Sequence, residues 1–280
     1  MSDVRTEEAP ARTQHNRSGP NPPGDFIWYE LMTPDAEGSK AFYDAVIGWN
    51  IGEGVAEFKG YRMIGTADGS FAGGLLPLTD EMQQHGARPT WLGYLNASDV
   101  DGKVASIEAA GGKALLPPTD IPNVGRIAMV ADPQGAPFYV MKPIPPAGKE
   151  NEPSSVFSPT DQGRCAWNEL STSDPVAARQ FYGQQFGWTT DNFMPMGEHG
   201  EYRFIDNEGL TLGAIAGAMG GQQPHWRFYF KVPSISKAKD VIEAKGGKVV
   251  MGPMEVPGGS WVCQAVDPQG AHFALISPKR

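Results

Sequence analysis

The sequence predicts an α+β fold built as two tandem domains of one architecture. Three observations predict it. The chain repeats itself once. Strand-like alternation and helix-like stripes follow one another in the same order in both halves. Gly (35) and Pro (25) are abundant in 280 residues, which favours many turns and short strands over long helices.

The repeat is explicit. W-Y-E-L-M-T-P-D, Trp28 to Asp35, is answered 139 residues on by W-N-E-L-S-T-S-D, Trp167 to Asp174. The same offset relates Glu30 to Glu169, Phe42-Tyr43 to Phe181-Tyr182 and Gly48-Trp49 to Gly187-Trp188. Further on the offset falls to 135, relating Trp91 to Trp226, Tyr94 to Tyr229, I-E-A-A-G-G-K at Ile107 to I-E-A-K-G-G-K at Ile242, and D-P-Q-G-A at Asp132 to the same run at Asp267. Matches this dense in unbiased sequence indicate duplication.

Each block then reads strand, helix, strands, twice over. Residues 26–32 alternate as a strand does. Asp35, and Asp174 with Pro175 behind it, read as an N-cap and a helix-starting proline. Ala41, Phe42, Ala45 and Val46 form a stripe at helical spacing, and Gly48 and Gly187 are placed to stop the helix. A second helix spans about 99–110, its buried face Val104, Ala105 and Ile107, with Gly111-Gly112 ending it; Gly246-Gly247 do so in block two. Short alternating runs at 61–66, 71–76, 202–206 and 211–214 supply strands between the helices. Asp-Pro-Gln-Gly reads as a turn. The polar, Pro-rich residues 1–24 read as a disordered tail, 25–144 as domain one, the Pro-rich 145–163 as a linker and 164–280 as domain two.

Composition excludes several classes. Hydrophobic residues make up 40% and charged residues 20%, and the net charge is −9. That is globular, and too acidic to suggest nucleic acid or an anionic membrane surface as a partner. Two cysteines, Cys165 and Cys263, exclude a disulfide scaffold and read as small buried hydrophobes. No apolar run is long enough to span a membrane, and the N-terminus lacks a secretory h-region, so cytoplasm is the expected compartment.

The strand followed by Asp35…Phe42-Tyr43…Gly48-Trp49, its copy Asp174…Phe181-Tyr182…Phe186-Gly187-Trp188, and the two D-P-Q-G runs with Phe138 and Phe273 resemble the vicinal oxygen chelate superfamily of glyoxalases, bleomycin-resistance proteins and dioxygenases. The resemblance covers about 235 residues and is nearest to tandem members labelled hydroxylase-like. It implies two glyoxalase-like domains, each of paired βαβββ modules that curl a sheet into a cup. It also implies a divalent metal held by His, Glu or Gln at the base of the cup. The positions that match its ligands hold Trp28, Leu92 (or Trp91) and Tyr139 in block one, and Trp167, Arg227 (or Trp226) and Ala274 in block two. Indole, alkyl and guanidinium groups ligate no divalent ion. The fallback set is Glu169, His225 and His272, whose counterparts Glu30, Thr90 and Pro137 could not hold a metal.

Aromatics at a cup base make flat, rigid walls suited to a planar or aromatic ligand. Trp28, Trp91, Tyr94 and Tyr139 line the first cup in this reading, and Trp167, Trp226 and Tyr229 the second. Glu30 and Glu169 lie mid-strand, where a carboxylate needs a partner; Arg62, Arg203, Arg126 and Arg227 are the candidates. The expected function is metal-free binding of a small planar or aromatic molecule, with no cofactor. The alternatives are a metal-dependent lyase, dioxygenase or isomerase, a metal-free enzyme with Glu30 or Glu169 as catalytic base, and a structural protein whose cups are filled. Domain pairing within the chain suits a monomer or a homodimer.

Overall fold

The computed structural model describes residues 17–280. In the N-terminal domain β1 (Phe26–Thr33), α1 (Ala36–Ile47), β2 (Asn50–Ile51), β3 (Arg62–Gly65) and β4 (Phe71–Pro77) form one βαβββ module. After a short helix, α2 (Asp80–Gln84), the module repeats as β5 (Thr90–Asn96), α3 (Val100–Ala109), β6 (Lys113–Ile121), β7 (Gly125–Ala131) and β8 (Pro137–Pro143). The C-terminal domain runs β9 (Cys165–Thr172), α4 (Pro175–Phe186), β10 (Phe193–Pro195), β11 (Glu201–Asn207) and β12 (Leu210–Gly217). It closes with β13 (His225–Lys231), α5 (Ile235–Ala244), β14 (Lys248–Glu255), β15 (Trp261–Val266) and β16 (His272–Ser277).

The eight strands of each domain form one sheet, in the orders β2-β3-β4-β1-β5-β8-β7-β6 and β10-β11-β12-β9-β13-β16-β15-β14. The modules meet at antiparallel seams, β1 on β5 and β9 on β13. Within a module the first strand pairs parallel with the last, β1 with β4 and β5 with β8, and the helix makes the crossover that such pairing requires.

The local signals act as their chemistry dictates. Asp35 accepts a hydrogen bond from the Gly38 amide, and Asp174 from Val176 and Ala177, each filling orphan donors of a first turn. Gly48 (φ 85°) and Gly187 (φ 75°) end α1 and α4 in the left-handed region. The helix α2 has no expectation behind it in the sequence reading, although Thr79 caps it by accepting from the Met82 amide.

Alternation divides each sheet into two faces. Tyr29, Leu31, Trp91, Leu95, Phe138 and Val140 turn to one face and join Phe42 and Tyr43 of α1 in a core shared with the other domain, which contributes Tyr182, Trp226, Phe228, Phe230 and Phe273. The opposite, concave face of each sheet holds a separate, smaller apolar cluster.

Two reciprocal polar contacts tie the domains. Asp132 Oδ1 accepts from the amides of Gln134 and Ala136, forming the expected turn, while Oδ2 accepts from the Tyr182 hydroxyl at 3.1 Å. Asp267 does the same with Gln269, Ala271 and Tyr43. Each tyrosine hydroxyl in turn accepts an indole N–H, Trp91 on Tyr43 and Trp226 on Tyr182. Trp49 and Trp188 donate to the carbonyls of Gly163 and Gly24.

Of the N-terminal segment 1–24, residues 1–16 lie outside the described residues. Arg17 pairs with Asp25 at 2.7 Å and donates to the Asn207 carbonyl, fastening the segment onto the C-terminal domain. Between the sheets, Ser154 donates to the Ile27 carbonyl and Val156 is buried. Among the described residues no helix is long and apolar enough to cross a membrane.

Candidate functional site: a buried carboxyl in the N-terminal cup

The floor of the N-terminal cup is built by register. Trp28 lies opposite Tyr94, and Glu30 opposite Leu92 on one side and Gly74 on the other. Tyr94 neighbours Tyr139 across the parallel β5–β8 pair, and the two rings stack with centroids 4.2 Å apart. Tyr61 reaches in across Gly74; a Cβ there would sit 1.9 Å from its hydroxyl oxygen, so the glycine makes room for the phenol. The Tyr61 hydroxyl accepts the Trp28 indole N–H at 2.8 Å.

Glu30 sits among these rings, 4% exposed. Its Oε2 accepts from the Tyr94 hydroxyl at 3.0 Å, and its Oε1, also buried, has no partner among the described residues. Burial outweighs the contributions of the Tyr94 and Tyr61 hydroxyls and pushes the carboxyl up to about 7. No cation among the described residues offsets that burial. A guanidinium alongside is worth on the order of 4 kcal/mol at an effective dielectric of about 20, more than the roughly 1.5–3 kcal/mol of one hydrogen bond to a charged group.

The C-terminal cup shows the alternative. Glu169 faces Arg227 where Glu30 faces Leu92. Arg227 donates to Glu169 Oε1 at 2.9 Å, and Tyr202 and Tyr229 both donate to Oε2. Trp167 donates to the Tyr202 hydroxyl as Trp28 does to Tyr61. Gln264 donates to Tyr229. The same scaffold thus holds a compensated carboxylate in one domain and an uncompensated carboxyl in the other.

The structure redistributes the residues singled out in the sequence. Trp28, Glu30, Tyr94 and Tyr139 meet in the first cup, and Trp167, Glu169, Arg227 and Tyr229 in the second. Trp91 and Trp226 do not join them; both turn to the shared core and bond Tyr43 and Tyr182. Arg62 lies on the helix side of its sheet and pairs with Glu37 of α1. Arg203 pairs with Glu201 and stacks on Phe193. Arg126 pairs with Asp101 and Asp120. None of these three reaches a mid-strand glutamate. The difference is one of parity: in each Y-R pair, alternation sends the tyrosine into the cup and the arginine to the opposite face. Tyr61, Tyr202 and Gln264 are polar members of the cups that carry no such expectation from the sequence. Cys165 and Cys263 are both buried, and burial raises the Cys165 thiol to about 12.

The donor set does not fit a divalent metal. In the fallback set, Arg227 stands between Glu169 and His225, holding His225 Nε2 at 2.9 Å, while His225 Nδ1 faces the Gln223 carbonyl. A cation there would meet a guanidinium. His272 is exposed at the start of β16. Among the described residues no group of three or more His, Cys, Asp or Glu could hold a metal ion.

Apolar side chains surround the floor of the N-terminal cup. Met32, Leu92, Ile127, Met129 and Met141 line it, and Leu78, Met82 and Ala87 around α2 pack against them. A cavity of about 130 Å³ opens beside Trp167, but Pro159, Lys231 and Ser277 line it, and Glu169 and Arg227 do not. Another of about 250 Å³ lies between Asn21, Asp25, Ser154, Ser158 and Leu210, outside both cups.

The profile of the Glyoxalase/Bleomycin resistance protein/Dioxygenase superfamily matches residues 26–140 and again 163–275. The chain belongs to that superfamily. Among particular proteins it is similar to the anthracycline biosynthesis protein DnrV of Streptomyces peucetius, 27% identical over 91% of this chain and 93% of DnrV. It is also similar to CFP32 of Mycobacterium tuberculosis, whose name ranks it provisionally among the glyoxylases, 27% identical over 96% of this chain and 98% of CFP32. The fold is shared with the Mn(II)-bound glyoxalase of Novosphingobium aromaticivorans (TM-score 0.59, 19% identity, 92% and 83% of the two chains). It is shared equally with the 2,3-dioxygenase LapB of Pseudomonas sp. KL28 (TM-score 0.59, 13% identity, 93% of each chain).

Proposed function

We propose that the chain binds a small planar aromatic molecule in its N-terminal cup, without a metal, and that Glu30 receives a hydrogen-bond donor of that molecule. One observation carries the reading: Glu30 Oε1 is buried in an aromatic enclosure with no hydrogen-bond partner among the described residues, although the Tyr61 hydroxyl also acts on the carboxyl. An unsatisfied buried acceptor is costly, so a site keeps one where a ligand completes it. Trp28, Tyr61, Tyr94 and Tyr139 supply flat faces. Four methionines, Met32, Met82, Met129 and Met141, belong to the same cluster. Thioether side chains repack readily around an incoming ring. The likeness to a protein of anthracycline biosynthesis supports a polycyclic, hydroxylated ligand.

The C-terminal cup is assigned a structural role, because Arg227 and two phenols already satisfy Glu169. The test is a titration of the whole chain with 1,4-dihydroxyanthraquinone, followed by quenching of tryptophan fluorescence. Wild type is expected to saturate at one ligand per chain. Glu30→Gln is expected to bind at least ten-fold more weakly, and Glu169→Gln within two-fold of wild type. Equal losses in the two variants, or binding untouched by Glu30→Gln, would overturn the reading.

A further inference from the structure

The N-terminal cup holds more than a binding surface. Glu30 presents a buried carboxyl oxygen, Oε1, without a hydrogen-bond partner among the described residues, while Oε2 is anchored by Tyr94. The Tyr139 ring is fixed face to face on Tyr94, and the Tyr94 hydroxyl is the one hydrogen-bond neighbour of the Tyr139 hydroxyl among the described residues. A proton acceptor and a proton donor therefore share one apolar enclosure. This is the pairing needed to take a proton from carbon beside a carbonyl and to stabilise the oxygen that becomes negative.

We propose that this cup catalyses metal-independent keto–enol tautomerisation of a planar aromatic ketone, with Glu30 Oε1 carrying the proton and Tyr139 donating to the carbonyl oxygen. The inference rests on the cup being the ligand site. In the step, the Cα–H bond of the ketone breaks and its proton forms an O–H bond on the Glu30 carboxylate. The electron pair left behind becomes the C=C bond of an enolate, and the charge moves to oxygen, where the Tyr139 hydroxyl donates to it. Glu30 then returns the proton to that oxygen. Atoms and charge balance with no co-reactant, and the enzyme is regenerated. Burial that leaves Glu30 near neutrality makes both of its protonation states available to the cycle.

The C-terminal cup supplies the internal control. Its carboxylate is held by Arg227, and Ala274 stands where Tyr139 does, so it has neither the free base nor the donor.

The experiment is hydrogen–deuterium exchange at the α-carbons of 2-tetralone in D₂O, followed by proton NMR, with 2-tetralone binding measured on the same samples by tryptophan quenching. Wild type is expected to exchange the α-protons well above the buffer rate, with a profile that rises through about pH 7. Glu30→Gln is expected to lose at least about 100-fold of that rate. Tyr139→Phe should lose about ten-fold, mostly in kcat rather than KM. Glu169→Gln should retain the wild-type rate. Wild type that binds 2-tetralone but exchanges no faster than buffer would overturn the tautomerase while leaving the binding site intact. Absence of binding would overturn both. Exchange that survives Glu30→Gln would place the base elsewhere and overturn the assignment. Leu92→Arg, which keeps Glu30 but gives it a cation, guards against a folding artefact; it should keep its circular dichroism spectrum and shift the exchange profile to lower pH, and an unmoved profile would count against Glu30.

Discussion

Glu30 and Glu169 occupy the same rung of their sheets, and one cross-strand neighbour, Leu92 or Arg227, separates their chemistry. Because the Glu30 pKa is raised, from 4.5 to about 7, the folded state binds this proton more tightly than the unfolded chain does. Stability from this group is therefore full below about pH 4.5 and is lost as pH rises through 7, a loss on the order of 3 kcal/mol. Glu30→Gln removes that slope. Subtracting its urea-unfolding free energies from those of wild type between pH 4 and 9 should isolate the effect, and a flat difference would mean that Glu30 is not held protonated. At pH 8 the variant is expected to be the more stable protein, because it carries no buried carboxylate.

At the scale of elements, the tyrosines of α1 and α4 each reach an aspartate in the turn before the last strand of the opposite domain. Tyr43→Phe leaves Asp267 without that donor, and the expected cost is about 1–3 kcal/mol. Tyr182→Phe should match it through Asp132, and a change in urea midpoint at constant slope is the measure. A cost in only one of the two variants would show that the reciprocal contacts are not equivalent. These elements were largely legible in the sequence. Asp35, Asp174, Gly48 and Gly187 act as caps and stops because their chemistry is local, and the repeat carried each assignment from one half to the other. What was not legible was long-range. Whether Tyr61 or Arg62 enters the cup depends on strand parity relative to β1, and whether Trp91 faces ligand or core depends on which face the second domain covers. The short helix α2 is not legible in the sequence, although Thr79 with Asp80 and Glu81 is a capping signal. Five residues are too few to show a helical period.

At the scale of the whole molecule, the largest apolar core belongs to neither domain alone, since Tyr29, Phe42 and Trp91 pack with Tyr182, Phe228 and Phe273. The two sheets should therefore unfold as one unit. Far-UV circular dichroism and tryptophan fluorescence are expected to give coincident urea transitions, and two resolved transitions would show separable domains. The asymmetry of the cups is then a property of the duplicated chain, one copy compensating its carboxylate and the other leaving it free. The measurement that tests this most directly is carbon-13 NMR of protein labelled at the glutamate δ-carbon, titrated from pH 4 to 9 with and without 1,4-dihydroxyanthraquinone. One resonance, absent in Glu30→Gln, should titrate near pH 7 in the free protein and move when ligand is added. A Glu30 resonance that titrates at the ordinary carboxylate value and is indifferent to ligand would contradict the account.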